Sequence, residues 1–299
     1  FAWTQFSSQY NTIKNAWANS NRLAIASRDG ISLYQSLPGV PTSYTNYNGA
    51  AEFNPNFAAF DFQGNLVVAD KYQGLMYNND DWWTRIAPNS PVEDRTYFVL
   101  PSNDDLFVVG GSRSDSWGNR FFPIIVHKFS NNQWVYDYNF NYIDAVRITP
   151  SPFHSNEFYI SSWGNGILVY SDGKFVENYN PSNSSLETII PGAFCRIGGV
   201  VFDSKGNLWA SNAGVTNPIS VRTPDGTWKG FPYQSLINSQ RQSDIILSPS
   251  GHLWVIIPSG GGLFVLNPGN DPLATSSHQV RKFLLTDSDG VSLPNDIYS

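Results

Sequence analysis

The sequence predicts an all-β fold, a β-propeller of four-stranded antiparallel blades. Three observations lead there. Aromatic residues make up 15% of the 299 residues and charged residues only 14%. Glycine (24) and proline (19) punctuate the chain at short intervals. One turn-and-strand phrase also returns along the length, as DFQGNLVVAD at 61–70, DSKGNLWASN at 203–212 and SPSGHLWVII at 248–257. Aromatic and β-branched residues suit pleated sheet, while Gly, Pro, Asn and Asp suit tight turns. A disordered chain would be poor in aromatics and rich in charge.

The apolar residue after each such turn marks the period. The markers are Leu23, Leu66, Leu106, Phe158, Leu208 and Leu253, at steps of 43, 40, 52, 50 and 45 residues. Propeller blades repeat at about 40–50 residues. A short strand a precedes the markers, as FAAFD, TYFVLP, AVRITP, GGVVFD and DIILSP. In the first unit QYNTIKNAWANSN has material for one helical turn, but a strand fits the repeat. Each marker opens strand b. Strand c follows as DGISLY from 29, QGLMYN from 73, PIIVHKF from 123, NGILVY from 165, NPISV from 217 and GGLFVL from 261. An aromatic strand d comes next, as WWTRIA from 82, WVYDYNF from 134, FVENYN from 175, WKGFPY from 228 and RKFLLT from 281. The turns SDGK, PDGT and SNNQ join c to d.

Four-stranded units repeated radially leave only short, protected sheet edges. Two separate β-sandwiches are the competing arrangement, and one period running without a linker argues against them. Six complete blades are visible. FAWTQF resembles a strand d and LPNDIYS the start of a strand a, fragments of a seventh blade. A seven-bladed ring is the preferred reading and a six-bladed ring the alternative. A start without Met and a strand-like end lead to the expectation of a single domain, 1–299, excised from a larger protein.

The formal net charge is −6, from 18 basic and 24 acidic residues. No basic run appears, so nucleic acid is not an expected partner. No apolar stretch reaches the roughly 18 residues of a membrane helix. Cys195 is the only cysteine, so no intrachain disulfide can form and a buried structural thiol is expected. His127, His154, His252 and His278 form no HxH or HExxH pattern, and neither metal nor cofactor is expected.

DSKGNLWASN, followed by NPISVRTPDGTWKGF and SPSGHLWVIIPSGGGLFVL, resembles the two-component-regulator-type propeller repeats of Bacteroidetes. With ITPSPFHSNEFYISSWGNGILVYSDGKFVENY the likeness sharpens, over most of 55–299, to the second propeller of the PorZ-like family, surface proteins linked to type IX secretion. The resemblance implies an exported, periplasmic or surface-exposed, non-enzymatic binding scaffold. Its implied partners are the secretion apparatus, an anionic glycan or lipopolysaccharide, and other domains of its own chain. Family members carry a further propeller and a C-terminal β-sandwich associated with anionic lipopolysaccharide, and functions located there are not carried over. The alternatives are a periplasmic oligosaccharide-sensing propeller of a hybrid two-component regulator and a sialidase-like or other glycan-active enzyme.

The enzyme reading finds little anchorage. TPDGTW at 223–228 is one residue short of a sialidase Asp-box. Glu52, Glu93, Glu157, Glu177 and Glu187 adjoin no matching motif. Asp80–Asp81 and Asp104–Asp105 read as hairpin turns, which leaves paired-carboxylate hydrolysis without a pair. A sharper constellation is cationic. Arg95, Arg196 and Arg241 lie at or just before strand a in three blades, and Arg147 lies inside strand a of another. They are expected to form a collar at the channel mouth for a carboxylate, phosphate or sugar acid. The competing reading is inter-blade pairing with Asp94, Asp144 and Asp244. Trp209 and Trp254 share one repeat position and should pack between blades. Trp117 and Trp163 break the repeat and are candidates for a sugar- or peptide-binding surface, against simple loop anchoring. GSRSDSWGN at 111–119 reads as a flexible entrance to strand c.

Overall fold

A computed structural model describes residues 12–19, 21–36, 39–49, 52–79, 82–102, 104–237, 241–284 and 286–291. The seventh-blade fragments FAWTQF and LPNDIYS, and Asp80–Asp81, lie outside these residues. Among the described residues 24 strands form six four-stranded sheets, each an antiparallel meander in chain order.

Blade I is β1 (Ile13–Ala18), β2 (Leu23–Ser27), β3 (Ile31–Tyr34) and β4 (Thr42–Tyr44). Within the segment with helical material, Ile13–Ala18 is thus strand β1. Blade II is β5 (Pro55–Phe60), β6 (Leu66–Asp70), β7 (Gly74–Asn79) and β8 (Trp82–Ile86). Blade III is β9 (Phe98–Ser102), β10 (Asp105–Val109), β11 (Pro123–Ser130) and β12 (Gln133–Ile143). Blade IV is β13 (Ala145–Pro150), β14 (Glu157–Ser162), β15 (Gly166–Ser171) and β16 (Lys174–Tyr179). Blade V is β17 (Ile197–Phe202), β18 (Leu208–Asn212), β19 (Ile219–Arg222) and β20 (Trp228–Phe231). Blade VI is β21 (Ile245–Leu247), β22 (Leu253–Ile257), β23 (Gly262–Asn267) and β24 (Gln279–Phe283). Every marker residue falls in the second strand of its blade.

The recurrent phrase is one turn built several times. Asp203 N donates to Asn207 O and Gly206 N to Asp203 O, and residues 61–65 and 248–252 repeat the pattern. The first side chain completes each turn. Asp203 accepts the N–H groups of Lys205 and Asn207, Asp61 those of Gln63 and Asn65, and Ser248 Oγ that of His252. The fourth position has φ of +91° at Gly64, +83° at Gly206 and +79° at Gly251, which glycine adopts without a Cβ penalty. Asp105 departs from expectation: it opens β10 and pairs with Lys128 of β11 at 2.7 Å.

Two compact units, Phe1–Ser90 and Pro91–Ser299, divide the chain. In the first, Ala24, Ile31 and Leu33 of blade I pack with Ala58, Val68, Met76 and Trp83 of blade II. The second holds blades III to VI around successive shared cores. Ile124 and Val126 of blade III meet Ile148, Ile160 and Leu168 of blade IV. Tyr159, Ile167 and Val169 of blade IV meet Ile197, Val200 and Leu208 of blade V. Trp209, Ile219 and Phe231 of blade V meet Ile245, Val255 and Phe264 of blade VI. Neighbouring residues of one strand therefore serve opposite cores, as Leu208 and Trp209 do. A strand buried on both faces is apolar at consecutive positions where it packs, as Leu208, Trp209 and Ala210 are, not at alternate ones.

Candidate binding site

In the second unit the first strands of successive blades touch in order, β9 with β13, β13 with β17 and β17 with β21. Grooves lie along the seams of blades III/IV, IV/V and V/VI. All three arise from the repeat itself. In the IV/V groove Tyr159 OH donates to Glu157 Oε1 at 2.8 Å, beside Arg222 and Tyr179. Burial, then this bond to Glu157, raises the Tyr159 phenol well above its ordinary range, which keeps the proton on it.

One cavity, of about 300 Å³, breaks the repeat because all four blades line it. Its walls include Tyr97, Phe98, Arg113 and Trp117 from blade III and its loops, and Val146 and Arg147 from blade IV. Gly198 comes from blade V, and Ser243 and Asp244 precede β21 of blade VI. Glycine brings these walls together. A Cβ on Gly111 would lie 2.0 Å from Ala145 O, and one on Gly198 would lie 2.0 Å from Ser243 O. Only a residue without a side chain allows backbones this close.

The 111–119 segment is not a loose entrance. Ser114 N donates to Gly118 O at 3.0 Å, Gly118 N to Ser114 Oγ at 2.8 Å, and Arg113 bridges Asn119 through the backbone. Buried Asp144 fixes the next three residues, accepting the N–H groups of Arg120, Phe121 and Phe122 at 3.0–3.1 Å. Asn119 Nδ2 donates to Asp144 Oδ2 at 3.2 Å and to Trp163 O at 2.6 Å.

This loop delivers Arg113, which the repeat does not single out. Its guanidinium carbon stands 4.3 Å from the Trp117 ring centre and 4.8 Å from that of Trp163. Nε donates to Tyr97 OH at 2.8 Å, NH1 to Gln242 O at 3.4 Å and NH2 to Ser243 Oγ at 3.5 Å. Arg113 belongs to none of the ion pairs among the described residues. Burial pulls its pKa down, Tyr97 opposes this, and an arginine keeps its charge regardless.

Of the four predicted arginines, Arg95, Arg196 and Arg241 are not part of this cavity's lining. Arg95 pairs with Glu93, not Asp94, and covers Phe122. Arg196 donates from Nε and NH2 to Asn119 Oδ1 at 3.1 and 2.7 Å, while Asp144 is engaged by the 119–122 loop. Arg241 NH1 donates to Ser259 Oγ at 2.7 Å. Only Arg147 lines the cavity, ion-paired with Asp244 and facing Phe98. Each of the others is held by a nearer partner on its own loop or a neighbouring one.

Nor do Trp117 and Trp163 present an open aromatic surface. They are 7% and 0% exposed, their rings meet at 5.6 Å, and Trp163 Nε1 donates to Trp117 O at 2.9 Å. Their large rings are used to hold cations, Arg113 on both and Arg196 on Trp163. Trp209 is wholly buried between blades V and VI. Trp254 is partly exposed and stacks on Phe283 at 6.0 Å. Cys195 is buried, and burial first, then Glu187, pushes its thiol up to about 12. Among the described residues no group of three or more His, Cys, Asp or Glu side chains could hold a metal ion, and no helix is long and apolar enough to cross a membrane.

No family model and no curated protein matches this chain. Among solved structures it is similar to PorZ, described as an essential bacterial surface component of the type IX secretion system of Porphyromonas gingivalis. The identity is 20% and the TM-score 0.68, over 93% of this chain and 39% of that one. This chain thus spans about two-fifths of the PorZ chain. The extracellular domain of a putative hybrid two-component system from B. thetaiotaomicron is 14% identical, with a TM-score of 0.44, over 98% of this chain and 35% of that one. An ancestral GH74 enzyme is 13% identical, with a TM-score of 0.47, over 93% and 40%. Neither of these looser likenesses carries an argument. The six antiparallel four-stranded sheets and the likeness to PorZ establish the fold class, a β-propeller.

Proposed function

We propose that this chain is a non-catalytic binding propeller of an exported, surface-associated protein, with a scaffolding part like that of PorZ-like proteins in type IX secretion. The observation that carries the binding role is the cavity shared by blades III to VI, with Arg113 on its wall and no carboxylate paired to it. A cation drawn partly out of water needs compensation. Aromatic faces supply some of it, and an incoming ligand can supply the rest. The repeat-derived seams offer no comparable convergence of blades. The PorZ-like assignment draws support from the phrases PSPF, NEFY, SWGNG and PSGGGLFV in that order, and from the similar fold.

The test is a binding screen of the chain against oligosaccharides and lipopolysaccharide fractions, with every retained compound reanalysed for mass. Retention of an unaltered compound by wild type supports the proposal. Turnover of any glycan in the panel overturns the non-catalytic reading, and retention of nothing overturns the binding role.

A further inference from the structure

We infer that the cavity of Arg113 recognises the carboxylate of a small acidic sugar. This rests on the binding role proposed above and adds the class of ligand.

The guanidinium is already oriented. Trp117 and Trp163 both stand against it, and Nε is anchored on Tyr97 OH. Its remaining edge, NH1 and NH2, makes only the contacts of 3.4 and 3.5 Å to Gln242 O and Ser243 Oγ. Those lie beyond the usual 2.7–3.2 Å of an N–H···O bond. Two parallel donors in a plane match the two oxygens of a carboxylate, which would close to about 2.7–2.9 Å.

Charge selects among anions. The cavity wall carries Arg113, Arg147 and Asp244, a surplus of one positive charge. A monocarboxylate balances that surplus. A phosphate monoester, at about −1.5 to −2 near pH 7, overshoots it beside Asp244. A zwitterionic amino acid leaves the surplus in place. Its ammonium would also find Asp244 occupied, since Oδ2 is ion-paired with Arg147 and Oδ1 accepts Ile245 N–H at 2.8 Å.

The other walls suit a sugar ring. Arg147 lines the same cavity as a second cation, with its Nε buried beneath the surface. Ser243 adds a hydroxyl, and Phe98, Trp117 and Val146 add apolar surface. A volume of about 300 Å³ is at the lower end for small-molecule sites and matches one sugar ring.

The test is calorimetric titration of the 299-residue chain with D-glucuronate, D-glucose, inorganic phosphate and glycine. Saturable binding of glucuronate alone is expected. Arg113→Gln should weaken it at least tenfold, and Arg113→Lys should weaken it less, since lysine keeps the charge and loses the fork. In wild type, the side-chain Nε–H resonance of Arg113 should shift on titration, which tests the contact even if a variant fails to fold. Phosphate or glycine binding as tightly as glucuronate overturns the inference. So does equal glucuronate binding by Arg113→Gln, or no glucuronate binding at all. A neutral glycan bound alike by wild type and Arg113→Gln overturns the ligand class and leaves the binding role intact.

Discussion

Arg147, on the first strand of blade IV, is ion-paired with Asp244, which immediately precedes the first strand of blade VI. The pair skips a blade. It does so beside Gly198 and Gly199 of blade V, where a Cβ on Gly199 would lie 2.5 Å from Asp244 Oδ1. Both side chains are largely out of water, 25% and 14% exposed, and burial lowers the Arg147 pKa. Breaking a buried pair from one side costs about 3–5 kcal/mol, against about 0–1 for an exposed pair. Asp244→Asn should therefore cost about 2–3 kcal/mol, read as a lowered urea midpoint at unchanged m. A loss below about 0.5 kcal/mol would class the pair with surface bridges.

The glycines next to this pair should be unequal to glycines in turns. In Gly198→Ala the new methyl meets Ser243 O, a backbone atom that cannot rotate away. Strand β17 or the segment before β21 must then shift, at a cost of about 2–3 kcal/mol. Gly173→Ala, with φ of +75° and no heavy atom within 4 Å, should cost only about 1 kcal/mol from backbone strain. Thermal unfolding of the two variants decides. Similar losses would mean that β17 is not tightly confined.

The repeat was legible because its cause is local. A turn that needs a side-chain acceptor, a glycine and then an apolar strand must spell D-x-x-G-x-L or a close relative wherever it occurs. Arg147 was legible as a cation inside a first strand and Asp244 as one of three candidate inter-blade partners, but which of the three it meets was not, since that is set by packing across blade V. Arg113 was missed because it lies on the connection 110–122, the longest between any second and third strand. The signal was present in the longest marker step, 52 residues from Leu106 to Phe158. An interruption of a period marks a place where the chain does something other than build the next blade. Trp117 and Trp163 show the converse limit. Sequence identified them as breaking the repeat, but only packing decides whether such a ring faces solvent or a guanidinium.

Asp203 should matter more than its exposed turn suggests. Oδ2 accepts Asn207 Nδ2 at 2.7 Å and the indole N–H of Trp209 at 3.0 Å, and Trp209 is fully buried. Asp203→Ala strands that indole N–H and a buried Asn207 amide, at about 1–3 kcal/mol for each unsatisfied group. A net loss of about 2–3 kcal/mol is expected. Thr223→Ala, in the exposed turn between β19 and β20, should lose less than about 1 kcal/mol. Chemical denaturation followed by tryptophan fluorescence measures both, and equal effects would refute the role assigned to the indole bond.

The Cys195 thiol should be inert in the folded chain. It is 3% exposed, and burial with Glu187 nearby pushes its pKa up to about 12, so almost no thiolate exists at pH 8. Reaction with a disulfide reagent should proceed only through opening of the blade IV/V core, and its rate should rise with denaturant. A fast, denaturant-independent reaction would show that the thiol is reached without unfolding.

Stability should fall as pH drops below about 6.5, because of two histidines that fold neutral. His127 is wholly buried, and burial lowers its pKa although Glu93 and a backbone hydrogen bond at Val108 oppose this. His278 Nε2 lies 3.1 Å from Pro272 O, which can only accept, so Nε2 carries the hydrogen and Nδ1 accepts from Tyr233 OH at 2.6 Å. Burial lowers the His278 pKa as well, against the backbone carbonyl of Pro272 and Asp271. A histidine whose folded pKa lies below the unfolded value of about 6.5 contributes fully above that value, and the contribution is lost as the unfolded chain takes up protons below it. The carboxylates held below their ordinary range, such as Asp70 and Asp105, lose their share only in more acidic solution, near and below pH 4. Melting curves between pH 7.5 and 5.5 therefore isolate the histidines. The melting temperature should decline across that range in wild type, and His127→Phe should flatten part of the decline while His278→Asn flattens the rest. A wild-type melting temperature that is level or rises toward pH 5.5 would show that neither ring is held neutral by the fold.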